Sequence, residues 1–389
     1  MHRFGAAGPS LLELRKMDLI RMTAALSGRF GAMATAAAGA RRGAAARGIA
    51  TGCLLAALSL LTIRPAQADG VEQPNLAVML DWVIQGTHAP FFVAERNGYY
   101  KQAGLTVRFD PGKGAGAVCA MIASGAYPIG YADVPTIAQF DARNPPDKAL
   151  VAIYVSFDET PLALVGLKKS GIRTVADING KRIATPANSA TVYSLPILLK
   201  AAHAQGVTVN WQFVAPQLMA PMLVRGETDL LGGFTNSQIV AVRELGVPMP
   251  DIQVLRFADY VHMYGLALFT TKKFADANPK TLAAFVRAVN KGMLDTIADP
   301  EAAIALMKQR DPMMHSDLEL ERLNIALGHT VTNHVREYGL SSVTTARMQE
   351  TIDDVNAAQP LPRKLTVADI WTDRFLPPAA ERKLPPMAH

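Results

Sequence analysis

The stretch "DWVIQGTHAPFFVAERNGYY", Asp81 to Tyr100, sets a carboxylate beside an indole and brings in a histidine seven residues later. A carboxylate accepts N–H donors and repels anions, and a neutral imidazole both donates and accepts. An indole offers a flat apolar plate, worth on the order of 1 kcal/mol in ring stacking beyond the area it buries. Each residue also has an ordinary structural use: Asp81 as a cap on loop N–H groups, Trp82 as core filling, His88 as a partner for backbone. Grouped in one loop, Asp81, Trp82 and His88 offer a flat apolar face beside polar groups that can accept and donate hydrogen bonds.

Further candidates stand at similar places along the chain. Gly114, Ala115 and Gly116 in "GKGAGA" lead into a helix, whose start presents backbone N–H groups and a positive dipole end to an acceptor. The run fits neither a Walker A nor a Rossmann fingerprint. Asn188 and Ser189 in "PANSAT" stand at a second helix start, with capping as their alternative use. Tyr131 and Asp133 of "GYADV", Asp158 of "FDET", Phe234 and Thr235 of "GGFTN", and Tyr260 and Tyr264 of "ADYVHMYG" complete the set. It is acidic and aromatic and holds no arginine, which fits a neutral or cationic heterocycle better than a small oxyanion. Backbone N–H groups remain able to hold an oxyanion. No catalytic residue, metal or cofactor is expected: the eight histidines are scattered, Ser189 lacks a G-x-S-x-G context, and Cys119 falls in an apolar helix.

The elements that must position these residues alternate. "NLAVML" is a strand, Pro90 opens a helix, and "LTVRF" is the next strand. The glycine turn and its helix, "PIGYA", "DVPTIAQFDAR" and "ALVAIYVSF" continue a βαβ order that predicts a mainly parallel sheet covered on both faces. "PLALVGLKKSG" reads as an extended crossing, after which the pattern restarts and runs to "IQVLRF". A second extended segment, "YGLALFTTKK", leads into a largely helical remainder. Asn278-Pro279, Asp299-Pro300 and Asp311-Pro312 each read as a helix start.

Two α/β units with a crossing on either side of the second predict a two-lobed α/β protein, the second lobe inserted into the first. The expected boundaries are 69–163 and 264–389 for lobe 1 and 164–263 for lobe 2, with the chain crossing at 162–167 and 264–269. Ligands collect beyond the C-terminal ends of strands in such sheets, so the 81–88 loop should face the cleft.

Residues 1–68 read as a leader: an apolar run from Gly48 to Ile63 is followed by "PAQA", an export cleavage site before Asp69. The basic stretch ahead of that run is longer than export needs, which points to a working start downstream, at Met33. The whole chain carries 39 basic and 33 acidic residues, and the leader holds 9 and 2 of them. The remaining 30 against 31 are balanced, so the basic pI is no argument for nucleic-acid or membrane binding. A monomer in the periplasm is expected.

The segments "LDW", "HAPFFVAERNGYYKQAGLTV", "GKGAGAVCAMIASGAYPIGYAD", "TVADINGKRIATP", "FADYVHMYGLALFTTKKFADANP" and "WTDRFLP", in order over about 75–377, resemble a known family. They are similar to periplasmic solute-binding proteins of ABC importers, in the nitrate, sulfonate, taurine and thiamine-pyrimidine group that includes the yeast pyrimidine-precursor synthases. The resemblance implies the type II periplasmic binding protein fold with a ligand cleft at the hinge. It also implies a permease and an ATPase as partners and a pyrimidine-like solute, with a small oxyanion as the alternative ligand. A synthase-like use of His88 is a further alternative. The cysteine-rich motif of those enzymes has no counterpart after the leader, where Cys119 is the one cysteine.

Overall fold

The computed structural model describes residues 70–358 and 360–385. The leader and its cleavage site lie outside the described residues.

Ten strands form two sheets. They are β1 (Asn75–Met79), β2 (Thr106–Asp110), β3 (Ile129–Asp133), β4 (Leu150–Val155), β5 (Leu162–Leu167), β6 (Arg182–Thr185), β7 (Asn210–Phe213), β8 (Leu230–Phe234), β9 (Ile252–Arg256) and β10 (Leu266–Thr271). Lobe 1 is built on the order β2-β1-β3-β10-β4 and lobe 2 on β7-β6-β8-β5-β9. In each sheet one strand, β10 or β5, runs against the other four. The sheets are therefore mainly parallel, and β3, β4 and β5 are buried at every residue, as strands covered by helices on both faces must be.

The covering helices used below are α1 (Ala89–Arg96), α2 (Ala115–Ala123), α3 (Val134–Arg143), α4 (Ala190–Ala201), α5 (Pro216–Arg225) and α6 (Thr235–Glu244). The C-terminal part adds α7 (Lys272–Ala277), α8 (Pro279–Ala298), α9 (Pro300–Arg310), α10 (Ser316–Thr330), α11 (Asn333–Tyr338) and α12 (Thr345–Ala358). Phe91, Phe109, Tyr154 and Phe285 centre the core of lobe 1. A second apolar cluster runs without a break from Val118 and Ile137 in lobe 1 to Ile183 and Leu198 in lobe 2, by way of Phe257 and Tyr264.

Two expectations are corrected. The segments read as crossings are interior strands: β5 lies between β8 and β9, and β10 between β3 and β4. "LALVGL" is apolar at every position, so it needs cover on both faces and a pairing partner on each edge, which a free connector lacks. The chain changes lobes just before each strand, at 156–161 and 257–265, and the expected boundary at 163/164 falls inside β5. Asp311-Pro312 opens no helix directly: Asp311 accepts the N–H of Met313 in a turn (3.0 Å), and α10 begins at Ser316. Asp299, by contrast, caps α9 through the N–H of Ala302 (2.9 Å).

Candidate functional site

β1 delivers the 81–88 loop to the C-terminal edge of the lobe 1 sheet, where the glycine loop after β2 pins it. The N–H of Gly114 donates to the carbonyl of Asp81, and that of Gly112 to the carbonyl of Trp82, both at 3.1 Å. These bonds leave the two side chains lining a cavity shared by the two lobes. Lobe 1 lines it with Asp81, Trp82 and Ala115. Lobe 2 supplies Ser189, Ala190 and Thr191 at the start of α4, then Gly232, Gly233 and Phe234 at the end of β8, and Ser237 and Gln238 in the first turn of α6.

Three helix starts, those of α2, α4 and α6, thus converge on one cavity with an aromatic ring from each lobe, Trp82 and Phe234. Asp81 is the one charged residue among those lining it, and no lysine or arginine does so. The hydroxyl of Thr191, fully buried, has no partner among the described residues.

His88 is 1% exposed and does not line the cavity. The N–H of Gln85 donates to its Nδ1 (3.2 Å), so the ring proton resides on Nε2, which donates to Asp81 Oδ1 (2.9 Å). The histidine therefore orients the carboxylate and leaves Asp81 Oδ2 without a hydrogen bond among the described residues. Tyr131 packs edge-on behind it, with ring centroids 6.4 Å apart, and its hydroxyl pairs with Ser156 (2.6 Å).

Gly114 and Gly116 serve contact between the lobes. The N–H of Gly116 donates to the carbonyl of Asn188 (3.1 Å), while the Asn188 side chain is exposed. A Cβ on Gly116 would lie 2.3 Å from the Tyr193 hydroxyl, and one on Gly114, whose φ is +105°, would lie 2.7 Å from the Asn188 carbonyl. Gln139 reaches the Tyr193 carbonyl (2.9 Å) and Gln85 the Ser237 hydroxyl (2.6 Å), so the lobes touch around the cavity.

Ser189 stands at the start of α4, but its hydroxyl accepts from Thr185 (2.7 Å) and makes no cap bond. Asp133 caps α3 instead of lining the cavity. Burial pushes its carboxyl up to about 6, against the lowering effect of the Thr136 bonds and with Asp81 adding like charge. Asp158 is held by Arg347 (3.0 Å) and Thr332 (2.5 Å) at the lobe junction. Thr235 bonds His329 (2.7 Å). Tyr264 is buried there too, its hydroxyl accepting the N–H of Thr344 (3.0 Å) under the Arg347 guanidinium, while Tyr260 is 40% exposed and apart from the cavity.

Thr191, Gly232, Gly233, Ser237 and Gln238 were not among the expected residues. "GGFTNSQ" held the signal, since two glycines ending a strand mark a close approach of other atoms. A Cβ on Gly232 would lie 2.8 Å from Thr191, and one on Gly233 2.5 Å from Gln238. Among the described residues no cluster of three His, Cys, Asp or Glu side chains could hold a metal, and no helix is long and apolar enough to cross a membrane.

A family model described as NMT1/THI5 like matches residues 85–303. The riboflavin-binding protein RibY of Chloroflexus aurantiacus is 25% identical over 81% of this chain and 90% of its own. A 4-amino-5-hydroxymethyl-2-methylpyrimidine phosphate synthase of Schizosaccharomyces pombe is 26% identical over 68% of this chain and 78% of its own. The formylaminopyrimidine-binding protein of Halalkalibacterium halodurans is 27% identical over 70% and 83%. Among solved structures, the periplasmic aliphatic sulphonate binding protein SsuA of Escherichia coli superposes with a TM-score of 0.59 over 76% of this chain and 91% of its own, at 14% identity. The fold is accordingly that of the periplasmic binding proteins, with two five-stranded mixed sheets.

Proposed function

The chain belongs to the NMT1/THI5-like family, and we propose that within it the protein is the exported, substrate-binding component of an ABC importer for a small planar heterocycle of pyrimidine type. The observation that carries this is the lining of the cavity: an aromatic ring from each lobe, a carboxylate oriented by His88, and no cationic side chain. Rings on opposing walls suit a flat solute, and an oriented carboxylate with a free oxygen suits ring or exocyclic N–H groups. The helix starts and the Thr191 hydroxyl supply donors for ring carbonyls on the far edge. The names of the riboflavin-binding and formylaminopyrimidine-binding relatives point to the same solute class.

In this mechanism the solute touches both lobes and stabilises their approach by contacts that the separated lobes lack, and the closed form delivers it to a permease and its ATPase. A thermal-shift screen of riboflavin, formylaminopyrimidine and alkanesulfonates tests it. A heterocycle at 100 times its dissociation constant adds roughly 2.7 kcal/mol of stability. Stabilisation by sulfonates alone would replace the heterocycle with an oxyanion held by the helix starts.

The synthase among the relatives favours one other reading, a pyrimidine-forming enzyme. Mass spectrometry of the protein and its solute after prolonged incubation separates the two: a binding protein returns both unchanged.

A further inference from the structure

Helix α10 divides its faces between the lobes. Leu323 and Ala326 lie in the core of lobe 1, while Ile325, turned away from Leu323, packs against the core of lobe 2. Between these faces sits Arg322, 6% exposed. Its Nη1 donates to the carbonyls of Asn236 and Ser237, each at 3.1 Å, in the first turn of α6, and its Nε donates to Glu319 (3.1 Å). Glu319 in turn accepts the N–H of Gly86, in the turn that carries His88.

A buried ion pair therefore joins the loop that holds Asp81 to the helix start that lines the opposite wall, and neither member lines the cavity. Charges taken out of water are tolerated only while every bond they make is in place. Arg322 keeps its two carbonyl acceptors only while the start of α6 is within reach, and so only while the lobes touch. The Glu321–Arg243 pair and the His329–Thr235 bond also join α10 to α6 and need the same approach.

We propose that α10 is a latch: Arg322 and Glu319 hold the lobes together independently of any solute, raising the closed fraction and slowing solute release. The inference rests on the lobe-closure part of the function proposed above and not on the identity of the solute. A protein whose binding-competent form is a minor fraction binds more weakly by that fraction, so weakening the latch lowers affinity without touching the cavity.

The test places spin labels at Lys101→Cys in lobe 1 and Lys169→Cys in lobe 2 of the protein in a Cys53→Ser background, the other cysteine, Cys119, being fully buried. Pulsed electron paramagnetic resonance then reads the interlobe distance with and without riboflavin as the probe. Arg322→Met and Glu319→Gln are expected to move the closed-to-open ratio toward open by about tenfold or more, and to speed riboflavin release by a matching factor. Arg243→Gln, which breaks the Glu321 pair between α6 and α10 and lies outside the cavity, shifts it less and in the same direction, and it keeps the test decisive if Arg322→Met fails to fold. Distance distributions in Glu319→Gln and Arg322→Met that are unchanged from the parent overturn the latch. Variants that open while the parent ignores riboflavin uphold the latch and refute closure on a heterocycle.

Discussion

Replacing Asp133 with asparagine should reverse part of the pH dependence of stability. The Asp133 side chain is fully buried; Oδ2 accepts the N–H and O–H of Thr136 at 3.0 and 2.8 Å, and Oδ1 has no partner among the described residues. Burial is the main cause that lifts this carboxyl from 3.8 to about 6. The folded state therefore holds the proton more tightly than the unfolded chain, and between about pH 4 and pH 6 stability falls as pH rises. A rise of that size corresponds to roughly 3 kcal/mol, all of it lost above pH 6 and none of it below pH 4. The asparagine amide keeps an oxygen for the Thr136 cap and cannot ionise. The stability of Asp133→Asn relative to the parent should thus climb by about 3 kcal/mol from pH 4 to pH 7, while other titrating groups cancel between the two proteins. Urea denaturation followed by tryptophan fluorescence at several pH values across this window measures it. Parallel pH profiles for parent and variant would refute the argument.

The remaining predictions concern the cavity and its rim. Trp82→Ala should weaken a bound heterocycle by at least ~1 kcal/mol, about fivefold, in calorimetry. Retained affinity returns the indole to core filling. His88→Ala should cost a comparable factor by freeing the Asp81 carboxylate to rotate, and His88→Gln, which restores a donor, should recover part of it. Gly114→Val should prevent the lobes from meeting, because its Cβ would lie 2.7 Å from the Asn188 backbone carbonyl oxygen at a φ of +105° that side chains rarely adopt. Small-angle scattering should then show a larger radius of gyration that no solute reduces. Cys119, whose thiol burial pushes up, should resist iodoacetamide in the folded protein and react in denaturant.

Much of the fold was legible because its cues are local. Apolar runs bounded by glycine and proline gave the strands, and Pro90, Asn278-Pro279 and Asp299-Pro300 marked helix starts within a residue of where they lie. Asp311-Pro312 carried the same local cue and failed, since the dipeptide serves a turn as readily as a cap. β5 and β10 were recognised as extended and apolar, yet their places between two partners each were not readable, because an apolar run does not name its neighbours.

The site divides in the same way. Composition and order along the chain determined that Asp81, Trp82 and His88 follow a strand at the C-terminal edge of an α/β sheet, and that the glycine run opens a helix beside them. Only the tertiary structure decided that His88 spends both nitrogens on Gln85 and Asp81, that Asp133, Asp158 and Tyr264 serve caps and the lobe junction, and that Thr191, Ser237 and Gln238 complete the wall. The reason is distance along the chain. Gln85 and Ser237 are 152 positions apart and bond only because two sheets approach each other. Periodicity and turn chemistry act over a few residues, whereas a cavity between lobes is fixed by pairings that no local pattern encodes.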